Sequence, residues 1–176
     1  MRSSLIFFAY LNDHDVAWLC QACRKVEIAS RQVVVKSGEP NQTIYILLEG
    51  KCQVETAEGR RLDVLSSGDI IGEVSFVDGR KTTVQVTAAA NVVLARLDEE
   101  VLGDKLDNDP QFASRFYRGV ASVLAFRLRL NLQTAISSDS DVLSSAHEFV
   151  GEIDAVDLDA TAKSSARLSY LLSRLL

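Results

Sequence analysis

Histidine is scarce in this chain, with His14 and His147 as its two copies, and that scarcity removes most hydrolytic and metal chemistry at once. A cupin-type metal centre draws imidazoles from neighbouring strands, and Ser-His-Asp or Cys-His catalysis needs one beside a nucleophile. Neither histidine falls in the β-rich part of the sequence. Cysteine is equally sparse: Cys20 and Cys23 form a CxxC, Cys52 stands alone, and no second pair or histidine cluster completes a zinc site. The three read as buried, reduced thiols of a cytosolic protein. Basic charge is in deficit, 19 Lys and Arg against 24 Asp and Glu, so the net charge of -5 provides no field for nucleic acid or an anionic membrane. Long apolar runs are missing too. Ser3 to Ala9 is too short to span a bilayer and no small-residue cleavage site follows it. The expectation is a soluble, cytoplasmic protein that is not an enzyme and holds no metal.

What is present is enough apolar residue, 47% of the chain, for one compact domain and an appendage. Residues 1–136 are expected to form the domain and residues 137–176 a helical, acidic extension. Residues 5 to 25 read as an introductory helix that Asn12 or Asp13 can cap, with Val16, Leu19, Cys20 and Cys23 on one face. From Val26 to Leu97 short β-rich runs alternate with Gly and polar turns: Gln32 to Lys36, Thr43 to Leu48, Lys51 to Thr56, Arg60 to Leu65, Thr83 to Ala88 and Val92 to Leu97. Many short strands at near-regular spacing mean a sandwich, jelly roll or barrel. A helix over Asp98 to Asp107 is expected next. Asp109-Pro110, an acidic cap followed by Pro at the first helical position, then opens a long helix to about Ala135.

That helix carries apolar residues on more than one face, so both faces must be covered. One face suits the β region. The other suits a second copy of the chain, with Phe116, Val120, Val123, Leu124 and the neighbouring Phe126 as expected contacts of a homodimer. The extension holds seven acids against three bases. It shows two amphipathic segments, Val142 to Val150 and Leu158 to Leu176, the second with a stripe of Leu168, Leu171, Leu172, Leu175 and Leu176. This extension is expected to dock on the chain itself or on a protein partner.

The richest stretch is Ser66 to Ala88, SSGDIIGEVSFVDGRKTTVQVTA. Together with Gly38-Glu39, the run IYILLEGKCQV from Ile44 to Val54, SGDIIGEVSF from Ser67 to Phe76 and the helix after Asp109, it resembles the cyclic nucleotide-binding domains of bacterial catabolite regulators and kinase regulatory subunits. VDGR at Val77 to Arg80 is similar to a group of uncharacterised bacterial members. The resemblance runs from about Leu11 to Leu132. It implies an α+β fold, a β-roll of jelly-roll type (a double-stranded β-helix) flanked by an N-terminal helix and a long C-terminal helix.

In that family, as the resemblance has it, Gly-Glu opens a phosphate cassette whose Arg pairs with the cyclic phosphate. Gly72 and Glu73 stand in place here, but an ungapped count from Gly72 puts Thr82 where the Arg is expected. Backbone N–H groups at Val74 and Ser75 could still cradle an anion. Glu73 has two open readings, acceptor of a ribose 2′-OH or partner of Arg80, Lys81 or a helix Arg. Arg80 and Lys81 could replace the missing cation or remain solvated turn charges, and the hydroxyls of Thr82 and Thr83 could supply part of what an Arg does. Gln85 occupies the position near the base, where the family more often has Thr or Ser. The implied function is a non-catalytic regulatory or sensor domain whose ligand would be a cyclic nucleotide or another small anion, with cAMP binding weakened or lost. The alternative is a ligand-free dimeric scaffold for protein contacts. A DNA-binding regulator is the remote third reading, because the acidic extension has room for only two short helices and lacks a cationic recognition face.

Overall fold

The protein, as a computed structural model, is described over residues 2–139 and 158–176. Two helices open it, α1 (Arg2–Tyr10) and α2 (Asp13–Ala22), where one was expected. The break has a local cause. Asn12 takes an extended backbone, its side chain accepts from the Asp15 N–H at 2.9 Å, and the Asp15 carboxylate accepts from the Asn12 N–H at 2.8 Å. This reciprocal capping box satisfies two donors that a helix start otherwise leaves unpaired.

Eight strands follow, β1 (Arg24–Ile28), β2 (Val33–Val35), β3 (Thr43–Glu49), β4 (Lys51–Glu55), β5 (Arg61–Ser66), β6 (Ile70–Ile71), β7 (Gln85–Ala88) and β8 (Val92–Asp98), with α3 (Glu73–Asp78) between β6 and β7. They form two antiparallel four-stranded sheets, ordered β1-β8-β3-β6 and β2-β7-β4-β5. Strand β1 was not foreseen. Its RKVEI sequence is short and charged, with Arg24, Lys25 and Glu27 exposed and only Val26 and Ile28 half-buried, so little apolar pattern marks it, and pairing with β8 makes it a strand.

The chain ends in α4 (Glu99–Asn108), α5 (Pro110–Asp139) and α6 (Leu158–Leu175). Asp109 caps α5 as its sequence implies, accepting from the Phe112 N–H at 2.9 Å. The helix expected over Val142 to Val150 lies outside the described residues.

Strand β3 explains how the roll and the helices share one scaffold. Leu47 enters the roll interior with Val35, Cys52, Leu65, Ile71, Val86, Ala88 and Leu94, while Ile44, Ile46 and Leu48 face the helices. A strand covered on both faces reads as an unbroken apolar run, which TIYILLE is. On the helical side Phe7, Phe8, Leu11, Leu19, Leu102 and Phe112 join that cluster. Helix α1 runs between α5 and α6. It approaches α5 at Gly119, where a Cβ would stand 2.9 Å from the Phe7 ring. A bidentate pair ties α2 to α5, Arg115 to Asp15 at 2.6 and 2.8 Å.

This packing corrects the expected dimer contacts. Phe116, Val120 and Val123 are each only 1% exposed within the single chain, and Leu124 is partly buried against the same cluster. These side chains are the chain's own core, where burial is worth roughly 1.5–3 kcal/mol apiece. Among the described side chains of α5, the large apolar ones that remain exposed are Tyr117, Leu128, Leu130 and Leu132.

Candidate functional site

The site is built from β6, the turn at Gly72, α3, the segment after Gly79 and the middle of α5. Gly72 has φ +94, and a Cβ there would lie 2.4 Å from the Thr43 carbonyl and 2.5 Å from the Asn41 amide nitrogen. Both the backbone conformation and the space demand glycine. Asn41 holds that approach in place by donating to the Thr43 carbonyl at 2.7 Å. Helix α3 is closed by Gly79, also at positive φ, whose N–H donates to the Ser75 carbonyl. Within α3, Glu73 and Ser75 are buried and Val74 is 53% exposed.

Glu73 is only 2% exposed, and its carboxylate accepts from the guanidinium of Arg127 on α5. The same guanidinium donates to the Ile70 carbonyl at 3.0 Å. Of the two readings of Glu73, the geometry realises the ion pair with a helix arginine. Burial pushes the Glu73 carboxyl above the usual carboxylate range, and the Arg127 charge works against that rise.

Thr82 is buried, and its hydroxyl donates to the Lys36 carbonyl at 2.5 Å, with the Glu39 carbonyl 3.2 Å away. Its N–H donates to the Glu39 carbonyl and its carbonyl accepts from the Gly38 N–H. Thr82 therefore staples the turn at residues 36–39 to the segment leading into β7, and its one hydroxyl proton is committed. Ser37 adds a bond to the Thr83 carbonyl at 3.2 Å. The side chains of Arg80, Lys81 and Thr83 are exposed.

Gln85 donates through its amide to the Thr87 hydroxyl at 3.3 Å, and Thr87 in turn bonds Glu55. Side chains alternate along a strand, so Gln85 and Thr87 lie on the face of β7 opposite to Val86 and Ala88, which fill the roll. The structure thus sets Glu73, directly after Gly72, against Arg127, buries Ser75 further along α3, and commits Thr82 to the 36–39 turn. It leaves Arg80 and Lys81 in solvent and Gln85 on the outer face of its strand. Arg127 and Asn41 were not among the residues singled out beforehand. Arg127 is one of four arginines on the long helix, and spacing alone did not say which reaches Glu73.

Among the described residues no group of His, Cys, Asp or Glu is arranged to hold a metal ion. The cysteines are free. Burial pushes the Cys23 thiol up to about 12 and Cys52 up to about 11, and it raises Cys20 against the opposing charge of Arg174.

An eight-stranded roll with a short helix after Gly72 and a long helix behind it is the β-roll with flanking helices that the sequence led us to expect. Residues 25–109 match the cyclic nucleotide-binding domain family. An NTE family protein of Mycobacterium tuberculosis is 27% identical over 66% of this chain, which spans 20% of that protein. The CRP-like cAMP-activated global transcriptional regulator of the same organism is 27% identical over 65% of this chain, and 51% of that protein is covered. The chain therefore spans from a fifth to about half the length of these curated relatives. A cyclic nucleotide-binding domain from Methylobacillus flagellatus superposes with a TM-score of 0.67 at 20% identity, covering 81% of this chain and 77% of that one. That likeness bears on the fold and agrees with the expected β-roll and flanking helices.

Proposed function

We propose that this chain is a regulatory or sensor domain of the cyclic nucleotide-binding type, without catalytic activity, whose affinity for cAMP is reduced or lost. Thr82 is the observation that carries the reading. It brings no formal charge to a phosphate, and its hydroxyl proton is already given to the Lys36 carbonyl. Charge-assisted bonds contribute about 1.5–3 kcal/mol each, so lacking even one weakens an anion by at least roughly 10- to 100-fold. Glu73 adds to the effect, because a ribose hydroxyl must share or displace the Arg127 guanidinium. What is left for a small anion is the backbone at Gly72, Glu73, Val74 and Ser75, with Arg127 as the neighbouring cation.

Calorimetric titration of cAMP and cGMP into the wild type and into Thr82→Arg tests this. Micromolar or tighter binding by the wild type overturns the reading. Binding gained by the variant supports it, because it shows a pocket that lacked mainly the charge, even though the new arginine must first break the staple to residues 36–39.

A second reading, a scaffold that acts by protein contact without a ligand, draws on α5. Tyr117, Leu128 and Leu132 remain exposed along it. A homodimer is proposed through that surface, in place of the buried Phe116, Val120 and Val123. No nucleic-acid or membrane partner is proposed. The chain is net acidic, and among the described residues no helix is long and apolar enough to cross a membrane. A cytoplasmic location suits three unpaired thiols.

A further inference from the structure

We propose that α1 and α2 together form a receptor surface for one amphipathic helix, and that α6 fills it in cis as a releasable strap. The proposal is independent of any nucleotide. Leu171 is fully buried and Leu168 nearly so, in the same cluster as Phe7, Phe8, Val16 and Leu19. Ser164, one turn before Leu168, is 0% exposed, so a small side chain lets the helix axis come close there. Leu172 and Leu175 pack on the rim of the cluster.

Polar contacts fix the direction and register of the helix. Arg167 donates through Nε to Asp13 at 2.9 Å and through Nη1 to the Phe8 carbonyl at 3.2 Å. Phe8 lies in the last turn of α1, where carbonyls have no partner within their own helix. Lys25 donates to the Leu176 carbonyl at 3.1 Å. The groove therefore reads a definite pattern: a small residue at i, a cation at i+3 and leucines at i+4, i+7, i+8 and i+11, met here by Ser164, Arg167, Leu168, Leu171, Leu172 and Leu175.

Two features make the strap releasable. The roll interior has its own apolar cluster to which α6 contributes nothing, so the inner faces of the two sheets stay packed without the strap. The ties to α2 and β1 lie at the edge, with the Asp13 side chain 89% exposed. Release would uncover the sides of α1 and α2 that α6 covers, among them the Phe8 carbonyl that Arg167 caps, a surface made for another helix of the same pattern. While tethered, α6 faces its groove at an effective concentration on the order of millimolar, which a free competitor at micromolar concentration does not match.

The test uses the full chain and a labelled synthetic peptide of residues 158–176, followed by fluorescence anisotropy. Leu168→Asp/Leu171→Asp is expected to empty the groove and to bind the peptide at least about ten-fold more tightly than the wild type. Equal binding by the two proteins, or no binding by a variant that keeps its melting transition, overturns the proposal. A second measurement covers the case in which the double variant does not fold. Arg167→Glu should lose hydrogen-exchange protection over residues 5–11, and Asp13→Arg in that background should restore it. Protection that stays at the wild-type level in Arg167→Glu, or that is not restored by Asp13→Arg, overturns the assignment of the strap.

Discussion

Replacing Arg127 with methionine should cost about 3 kcal/mol of folding free energy at neutral pH, and most of that loss should disappear in acid. Methionine keeps much of the aliphatic stem, so the change isolates the guanidinium. Its removal leaves the Glu73 carboxylate 2% exposed without a counter-charge and takes one donor from the Ile70 carbonyl. Removing one member of a buried pair costs about 3–5 kcal/mol. The lower end applies because the Arg127 side chain is 23% exposed and water can reach the vacated end.

The pH dependence has a definite sign. Burial already holds the Glu73 carboxyl above the usual carboxylate range, and losing the opposing Arg127 charge raises it further. A carboxyl whose folded value is raised contributes stability below its unfolded value of about 4.3, and that contribution is lost as pH rises through the folded value. The difference between wild type and variant should therefore be small near pH ~4 and grow to its full size by neutrality. For a chain of this length 3 kcal/mol corresponds to roughly 6–12 °C in Tm. Adding Glu73→Gln to Arg127→Met should recover part of the loss, because no charge then remains buried. Thermal melts of the three proteins across pH decide the matter. A variant within about a degree of wild type at neutral pH, or a deficit that does not shrink in acid, would refute the reasoning.

The other expectations follow from single contacts. Gly72→Ala should destabilise by at least about 2 kcal/mol in urea melts, since a left-handed backbone costs roughly 1–2 kcal/mol and the new Cβ meets the Thr43 carbonyl. Asp15→Ala removes the N3 half of the capping box and also unpairs Arg115, so a loss of about 2 kcal/mol, the upper end of what a cap contributes, should appear in the same assay. Cys23 and Cys52 should resist a thiol reagent near pH ~8 in the native protein and react once it is unfolded, because their thiols sit at about 12 and about 11. Leu128→Glu/Leu132→Glu should halve the mass seen by light scattering while leaving the melting transition in place; an unchanged mass would remove the dimer from the exposed face of α5.

Much of the architecture was legible in the residue order alone. Runs such as TIYILLE and VVLARLD announce strands because apolar side chains recur at the strand period or fill both faces. Asp109-Pro110 announces a helix start because the cap and the fixed φ are local properties. The succession from Gly68-Asp69 to Gly72-Glu73 marks the cassette because its turns need glycine whatever they hold, and Thr82 could be located by counting from it.

Only the tertiary structure decided what these pieces touch. Strand β1 exists because β8 offers it an edge, which its own charged sequence does not reveal. The two sides of α5 look alike as a pattern, yet α1, α3 and the roll claim Phe116, Val120 and Val123 and leave Leu128 and Leu132 outside. The pairing of Glu73 with Arg127 spans 54 positions, and the Thr82 staple to Lys36 spans 46. Local propensity acts over a turn or two of chain, so it sets where helices and strands begin. Which charge meets which, and which apolar face is spent at home, depends on contacts between residues far apart in sequence, and these arise only when the sheets and helices pack.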